Sequence, residues 1–426
     1  MNLFDIIVIL VVLAAIFSYI NHRFFYLPRT IGLMALSLLV SLSLLGLGSF
    51  GVVMLDEKVA GMLSRLDFHD TLMHGMLGFL LFAGALHVNF QDLREMGWVI
   101  LLLSTFGVIT STVLVGFFTW TVLTIVDMKI PFLYCLLFGA LISPTDPIAV
   151  LGILKKAQAP KQLETKITGE SLFNDGIGVV LFLTLYSLVQ TGPQAAEPAA
   201  IGKLLVVESA GGILYGIGLG YIAYTLIKRI DNYHVEILLT LATVMGGYRF
   251  AEAIHVSAPL AIVVAGLMVG NHGRYLGMSD LTREHLDTFW ELVDEILNAV
   301  LFVLIGLELL VINHTLTIVA AGLMLIPCVL LARFLSVGSI ISLMRRFSDF
   351  PPGSVPIMTW AGLRGGISVA LALSLPQGPE RDLLVTITYC IMTFSILVQG
   401  LTVSRMVEHF YSTANGKAQQ RNSNKN

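Results

Sequence analysis

Long apolar runs with few charges occupy most of this sequence, and they constrain its fold more than any other feature. A bilayer core about 30 Å thick needs roughly 20 apolar residues for one helical crossing. Because the backbone must satisfy its own hydrogen bonds inside lipid, the runs predict an all-α polytopic membrane protein with about 13 transmembrane helices. The runs are bounded by polar residues or by Pro and Gly and lie at 2–20, 28–48, 70–88, 97–126, 131–154, 165–190, 201–227, 234–253, 257–270, 286–312, 315–343, 354–375 and 383–407.

Composition excludes several other classes of protein. Hydrophobic residues make up 56% of the 426 residues and charged residues only 12%, whereas an average soluble domain is about a quarter charged. A formal net charge of −3 without a long basic run argues against a nucleic-acid partner. The three cysteines lie in apolar runs without metal-ligand spacing, so neither a disulfide framework nor a cofactor is expected. Hydrolase motifs such as HExxH are missing from the sequence, so an enzyme is not expected either.

The distribution of Lys and Arg predicts the orientation in the membrane, because cytoplasmic loops collect these residues. With the N-terminus outside, seventeen of the 25 Lys and Arg residues fall on the cytoplasmic side and six on the opposite side. The first apolar run lacks a basic segment before it, so we interpret it as a retained span and not as a signal peptide. We therefore expect a multi-pass protein of a prokaryotic plasma membrane whose short polar tail, residues 409–426, is cytoplasmic.

Two of the predicted spans are interrupted. The fifth span contains ISPTDPIAV, in which Pro144 and Pro147 each remove a backbone donor and crowd a preceding carbonyl group. The twelfth span contains WAGLRGGIS, in which three glycines surround Arg364. Paired broken helices of this kind mark the binding sites of transporters.

The spacing of the two interruptions predicts an internal repeat. They lie seven spans apart, and an odd offset gives them opposite orientations in the bilayer, as in an inverted repeat. Within a single transmembrane domain over 1–408 we expect inverted six-helix repeats at about 1–190 and 234–407. The span at 201–227 would connect them, and the two broken helices would cross at the binding site.

Polar residues inside the spans cluster around the first break. Charged groups cost roughly 2.5–3.5 kcal/mol each on insertion scales, so each one requires a physical reason. At about 100° per residue, the four polar residues of the sixth span lie within an arc of about 140° on one helix face. That face can line a site together with the residues of the break. The cluster consists of Thr145 and Asp146 at the break and of Glu170, Ser171, Asn174 and Asp175 in the sixth span.

Charge balance separates the three embedded carboxylates. Only two arginines, Arg333 and Arg364, lie within the spans, so at least one carboxylate is left for a proton or a metal cation. Glu170 is best interpreted as a member of an internal ion pair, with direct cation binding as the alternative. Asp175 stands beside the uncharged Asn174 and is the candidate ligand. Asp146 can bind a cation through water or cap the half-helix, and the sequence leaves both roles open.

The chemistry of these groups favours a monovalent metal cation. The Asp175 carboxylate, the Ser171 hydroxyl and the Thr145 carbonyl oxygen suit a hard cation such as Na⁺ or Li⁺, with K⁺ as the alternative. Burial disfavours the charged form of a carboxylate, so Asp175 can hold a proton or a cation but not both. If only Asp175 changes protonation, one H⁺ moves per cation and the exchange is electroneutral. A proton-gated cation channel using the same carboxylates is a further alternative.

Five motifs taken together resemble one family. The chain from about 80 to 400 is similar to the NhaP-type sodium/proton antiporters of the monovalent cation/proton antiporter superfamily, the electroneutral branch related to the eukaryotic sodium/proton exchangers. The motifs, in chain order, are SPTDPIAV, GESLFNDGIGVVLF, VSAPLAIVVAGLMVGN, LFVLIGLEL and WAGLRGGISVALALSLP.

The resemblance implies a role for each residue of the cluster. Asp175 would bind the ion and the proton, Asn174 would be the asparagine of the electroneutral branch, and Ser171 would coordinate through its hydroxyl. Thr145 and Asp146 would be the residues of the crossover. We expect Glu170 to pair with Arg333, and Arg364 to steady the second broken helix.

The resemblance also implies an assembly and exposes one departure. The family works as a homodimer in which a mobile core domain moves against a rigid dimerisation domain. Some members carry a glutamate in the third span, where this chain reads LLFAGALHV with Ala83 at the aligned position. The site would then contain one carboxylate fewer, which leaves the preference between Na⁺ and K⁺ open.

Overall fold

The computed structural model describes residues 3–49, 75–146, 148–157, 159–191, 198–273, 278–308 and 315–423. Within these ranges the chain consists of helices and their connections, without a β-strand. Short π-helical segments lie at Asn21–Phe25, Leu103–Gly107, Val269–Gly273 and Ser395–Gln399. The α-helices are α1 Leu3–Ile20, α2 Arg29–Ser49, α3 Leu77–Leu86, α4 Phe90–Glu95, α5 Gly97–Leu102, α6 Val108–Ile125, α7 Phe132–Ile142, α8 Ile148–Lys156, α9 Lys161–Thr191, α10 Pro198–Ile227, α11 Tyr233–Ala253, α12 Ala258–Met268, α13 Asp280–Glu308, α14 Leu316–Met344, α15 Ser354–Trp360, α16 Gly366–Leu373, α17 Pro379–Phe394 and α18 Gly400–Ser423.

The predicted all-helical fold is confirmed, whereas the number of thirteen crossings stays a prediction. Broken crossings divide into half-helices that are too short to span a bilayer alone. Residues 70–74 of the third predicted span and 309–312 of the tenth lie outside the described part. Six described helical stretches are long and apolar enough to cross a membrane, namely Ile7–Phe25, Gly97–Ile125, Lys161–Gln190, Val206–Ile227, Leu316–Met344 and Pro379–Tyr411.

The helices pack into two groups. The crossing group, which contains both interrupted helices, consists of α6, α7, α8, α9, α14, α15, α16 and α17. The scaffold group consists of α1, α2, α3, α10, α11, α12 and α13. In the scaffold group the fully buried Trp290 packs against Phe82, with ring centroids 4.7 Å apart. The groups meet where α9 contacts α10 and α12 and where α13 contacts α16.

The two interruptions lie side by side. Helix α7 ends at Ile142 and α8 begins at Ile148, while α15 ends at Trp360 and α16 begins at Gly366. The backbone N–H of Asp146 donates a hydrogen bond of 2.8 Å to the carbonyl oxygen of Leu363. Two half-helices therefore end, and two begin, around one point inside the crossing group.

Helices α10 and α18 occupy two segments that the sequence analysis set apart, the connector at 201–227 and the polar tail at 409–426. Helix α10 occupies the predicted connector and lies in the scaffold group. Helix α18 continues past residue 408 to Ser423, into the predicted polar tail. The inverted relation between the two halves stays a prediction.

Candidate ion-binding site

Helix α9 fastens the first break through three hydrogen bonds to Thr145. The Thr145 N–H donates to Oδ1 of Asn174 at 3.2 Å, and Nδ2 of Asn174 donates to the Thr145 hydroxyl at 2.9 Å. The hydroxyls of Thr145 and Ser171 lie 2.9 Å apart and share a third hydrogen bond. All three residues are buried. The Asn174 side chain thus accepts a hydrogen bond from the Thr145 N–H, a backbone donor that lies in the interruption between α7 and α8.

Close packing against the break explains a glycine that follows Asp175. A Cβ atom added to Gly178 would lie 2.2 Å from Cγ of Pro144, closer than two carbon atoms can approach. Only glycine lets α9 pass the proline ring at this distance. Helix α9 is therefore held against the break over the whole stretch from Ser171 to Gly178.

Arg364 compensates the carboxyl end of half-helix α7. Its guanidinium donates to the carbonyl oxygens of Ser143, at 2.7 Å, and Pro144, at 3.1 Å. These carbonyls lie at the negative end of the helix dipole, where a cation is stabilising. The side chain of Arg364 therefore steadies the first break, whereas its backbone N–H donates to the Ser395 hydroxyl at 3.0 Å.

Glu170 and Arg333 form a buried ion pair. Nη1 of Arg333 donates to Oε1 of Glu170, and Nη2 donates to Oε2 at 2.9 Å. The two side chains are 1% and 4% exposed, respectively. Both carboxylate oxygens of Glu170 thus have a guanidinium donor, and the charge of Glu170 is balanced locally.

Asp146 lies at the crossing point. Half-helix α8 begins two residues after Asp146, and half-helix α16 begins at Gly366. The amino end of a helix favours a negative charge nearby. A Cβ atom added to Gly365 would lie 2.8 Å from Cβ and 2.9 Å from Oδ2 of Asp146. Glycine at 365 therefore leaves the space that the Asp146 carboxylate occupies.

Asp175 has a different environment. The residue is 7% exposed, and within the described residues its carboxylate forms neither a hydrogen bond nor an ion pair. It lines a cavity of about 60 Å³ between the crossing group and the scaffold group, large enough for a few water molecules. Asp146 lines the same cavity, and the two carboxylates repel each other electrostatically. An ion or a proton in this cavity would relieve that repulsion.

The structure divides the predicted site residues into two layers. Asp146 and Asp175 line the cavity, whereas Thr145, Ser171 and Asn174 lie behind them and bond to one another. Direct coordination of a cation by the Ser171 hydroxyl and the Thr145 carbonyl oxygen stays a prediction.

Ala83 does not face the cavity. It is buried in the apolar cluster of the scaffold group, and its neighbour Gly84 lines the cavity instead. Helix α3 turns about 100° per residue, so the side chains of these two neighbours point in different directions.

The sequence analysis missed two polar residues of the scaffold group. Asn298 lines the cavity from helix α13, and its Nδ2 donates to Asp294 one turn earlier. The two residues are spaced at i and i+4 immediately before the apolar stretch that begins at Ala299. That spacing was the available signal, and it was obscured by the many other acidic residues of α13.

Comparison with known proteins places the chain among ion transporters. Residues 9–409 match the family described as sodium/hydrogen exchanger, transmembrane. The chain is 49% identical over 412 residues to the Na(+)/H(+) antiporter NhaP of Pseudomonas aeruginosa, covering 96% of this chain and 97% of that protein. It is 34% identical over 347 residues to the Na(+)/H(+) antiporter NhaH of Halobacillus dabanensis, covering 80% and 83% of the two chains.

A solved structure shares the fold. The chain superposes on the sodium proton antiporter MjNhaP1 of Methanocaldococcus jannaschii at pH 8 with a TM-score of 0.75, covering 96% of this chain and 98% of that one. Sequence identity between the two is 18%, so this likeness concerns the fold alone.

Proposed function

The chain belongs to the sodium/hydrogen exchanger family of membrane transporters, and from this premise we propose that it is a secondary antiporter that exchanges Na⁺ or Li⁺ for H⁺ at Asp175. Relatives named Na(+)/H(+) antiporters support the two substrates. The likeness to MjNhaP1 supports the fold in which the exchange would take place.

One observation carries the proposal: a buried carboxylate lines a cavity and has no partner among the described residues. An ionised carboxylate in such surroundings is strongly disfavoured unless it is neutralised. The nearby arginines are engaged elsewhere, because Arg333 binds Glu170 and Arg364 binds the carbonyls of the first break. A proton or a small cation is therefore the neutralising group that Asp175 requires.

Competition for one carboxylate produces exchange. Protonated Asp175 is neutral and has no charge with which to hold Na⁺, whereas ionised Asp175 attracts Na⁺ into the cavity. We propose that the crossing group moves against the scaffold group only when Asp175 is neutralised by one ligand or the other. One H⁺ then crosses for each cation, and the cycle moves no net charge.

Replacement of Asp175 tests the proposal. In proteoliposomes with a pH-sensitive dye, added Na⁺ should change the internal pH for the unmodified protein, and Asp175→Ala should abolish this change. Glu284→Gln is a matched control, because it removes an exposed carboxylate of helix α13 and should leave the exchange unchanged. Wild-type exchange by Asp175→Ala would refute the proposal. A panel of Na⁺, Li⁺ and K⁺ would separate the proposed substrates from K⁺.

We further propose that the chain works as a homodimer in a bacterial plasma membrane, with its C-terminus in the cytoplasm. Helix α10 supports the dimer, because it carries exposed apolar side chains at intervals of seven residues, at Val207, Leu214 and Tyr221. The Lys and Arg distribution supports the orientation. Native mass spectrometry would report the oligomeric state, and modification of an introduced C-terminal cysteine in intact cells would report the orientation.

A further inference from the structure

Asn298 belongs to the wall of the cavity. The residue is 4% exposed and lines the cavity together with Asp146 and Asp175. Its amide nitrogen donates to the carbonyl oxygen of Asp294 at 2.9 Å and to Oδ1 of Asp294 at 3.1 Å. A side-chain amide has two N–H donors, so Asp294 engages both. Within the described residues, the hydrogen bonds of the Asn298 side chain are made by its nitrogen and not by Oδ1.

Asp294 fixes this orientation. The backbone carbonyl oxygen of Asp294 accepts in every protonation state and its carboxylate accepts when ionised, so Asp294 holds the nitrogen of Asn298 and leaves the oxygen for another partner. Asp294 also interacts electrostatically with Asp146 across the boundary between the two helix groups. The scaffold group thus adds an oriented neutral oxygen and a nearby carboxyl group to a cavity whose other polar walls belong to the crossing group.

We propose that Oδ1 of Asn298 is a further ligand of the transported cation and that Asp294 is its positioning residue. The proposal rests on the proposed exchange at Asp175 and adds a specificity-determining residue to it. An amide oxygen is a neutral ligand suited to a hard monovalent cation.

The location of Asn298 gives this ligand a further property. Asp175 belongs to the crossing group and Asn298 to the scaffold group, so motion between the groups separates them. Oδ1 of Asn298 then contributes to cation binding only when Asn298 and Asp175 line the same cavity. Loss of Asn298 should therefore weaken cation binding from one side of the membrane more than from the other.

Kinetics of the full-length protein in proteoliposomes test the assignment. Asn298→Leu keeps the approximate shape of the side chain but removes the oxygen. We expect the apparent KM for Na⁺ to rise about tenfold, the scale of losing one favourable contact to a charged group, with a changed ratio of the KM values for Li⁺ and Na⁺. The maximal rate should stay within about threefold, because a ligand shared by both bound cations mainly affects affinity. Glu284→Gln, which removes an exposed carboxylate of the same helix farther from Asp294, is the matched control and should change neither value.

A pair of variants at Asp294 tests the positioning role. Asp294→Ala removes the side-chain acceptor of the Asn298 amide, so only the backbone carbonyl oxygen still holds it, and the KM should rise in the same direction as for Asn298→Leu. Asp294→Asn retains an oxygen that accepts from that amide and should restore most of the affinity. Equal KM values for these two variants would overturn the positioning role, whether or not Asn298→Leu folds.

The same measurements separate this inference from the proposed function. Unchanged KM values and unchanged Li⁺/Na⁺ selectivity in Asn298→Leu, alongside loss of exchange in Asp175→Ala, would overturn the ligand assignment only. Retained exchange in Asp175→Ala would overturn the proposed function itself.

Discussion

Two regions of helix α9, little more than a turn apart, treat a buried carboxylate in opposite ways. At Glu170 both carboxylate oxygens receive donors from Arg333, and the pair is closed to the cavity. At Asp175 the carboxylate lines the cavity and lacks an ion-pair partner among the described residues. The residue type and the degree of burial are similar, so the difference lies in the neighbouring helices.

The contrast teaches how one helix can serve both stability and transport. A buried pair is strongly destabilised when one partner is removed, because the other charge is left unmatched. A buried carboxylate without an ion-pair partner is unfavourable while it is ionised, and it therefore has affinity for a proton or a cation. If the two regions keep these separate roles, substitutions at Glu170 and Arg333 should change stability, and substitutions at Asp175 should change transport.

The ion pair should dominate stability. Arg333→Met leaves Glu170 buried and unpaired, and we expect a loss of about 3–5 kcal/mol in the free energy of unfolding. Asp175→Asn removes a buried charge without breaking a pair, so its melting temperature in detergent should equal or exceed that of the unmodified protein. Thermal unfolding followed by tryptophan fluorescence or by loss of monodisperse protein measures both.

A double variant controls this comparison. Glu170→Gln combined with Arg333→Met removes both charges and should recover part of the stability lost in Arg333→Met. Equal melting temperatures for Arg333→Met and Asp175→Asn would contradict the distinction between the two regions.

Competition at Asp175 should appear in the pH dependence of transport. Protons compete with Na⁺ for the same carboxylate, so the apparent KM for Na⁺ should rise as the pH falls. The expected slope is about tenfold per pH unit, the limit for one proton displaced by one cation, with a plateau at high pH. Initial rates of dye-reported exchange over a range of pH and Na⁺ concentration measure the slope. A KM independent of pH would argue that the proton and the cation use different groups.

The crossing point should tolerate no additional methyl group. In Gly365→Ala the new Cβ would meet Asp146 at under 3 Å, and overpacking of this kind costs about 1–3 kcal/mol. We expect lower stability and a raised KM for Na⁺, because Asp146 must move within the cavity. Gly152→Ala in half-helix α8 is the control, since a Cβ there meets nothing within 4 Å and alanine favours a helix by about 0.5–1 kcal/mol.

The smallest expected effect is that of membrane voltage. If Asp175 alone changes its charge during the cycle, collapsing the potential with a K⁺ ionophore should leave the exchange rate nearly unchanged. A strong voltage dependence measured in the same proteoliposomes would show that a second group, such as Asp146 or Asp294, also changes its charge.

Local patterns in the sequence were sufficient for part of the site. The prolines of ISPTDPIAV and the glycines around Arg364 predicted interruptions, because their effects on backbone hydrogen bonding are local. The polar face of the sixth span was likewise visible from helix geometry. The structure places Glu170 with Arg333, the pairing that the sequence analysis favoured, although 163 residues separate the two.

Other features depend on contacts between distant segments. The Arg364 side chain reaches the first break. The backbone N–H of Arg364 donates to the Ser395 hydroxyl, at the start of the π-helical segment that follows α17, and no sequence pattern connected these two residues. Asn298 lines the cavity from helix α13, and Asp294 holds its amide nitrogen. The i, i+4 spacing of these two residues is obscured by the other acidic residues of the same helix. Their relevance follows only from which helix lies opposite the break.

Apolar runs, prolines and glycines were enough to predict a helical membrane protein with two interrupted spans and a short run of polar groups beside one of them. Hydrophobicity, backbone donors and helix periodicity are local properties, so they can be inferred residue by residue. Which carboxylate is balanced by a guanidinium and which one lines the cavity became visible in the packed helices. Electrostatic pairing depends on distances of a few ångströms between segments far apart in the chain, and packing sets those distances.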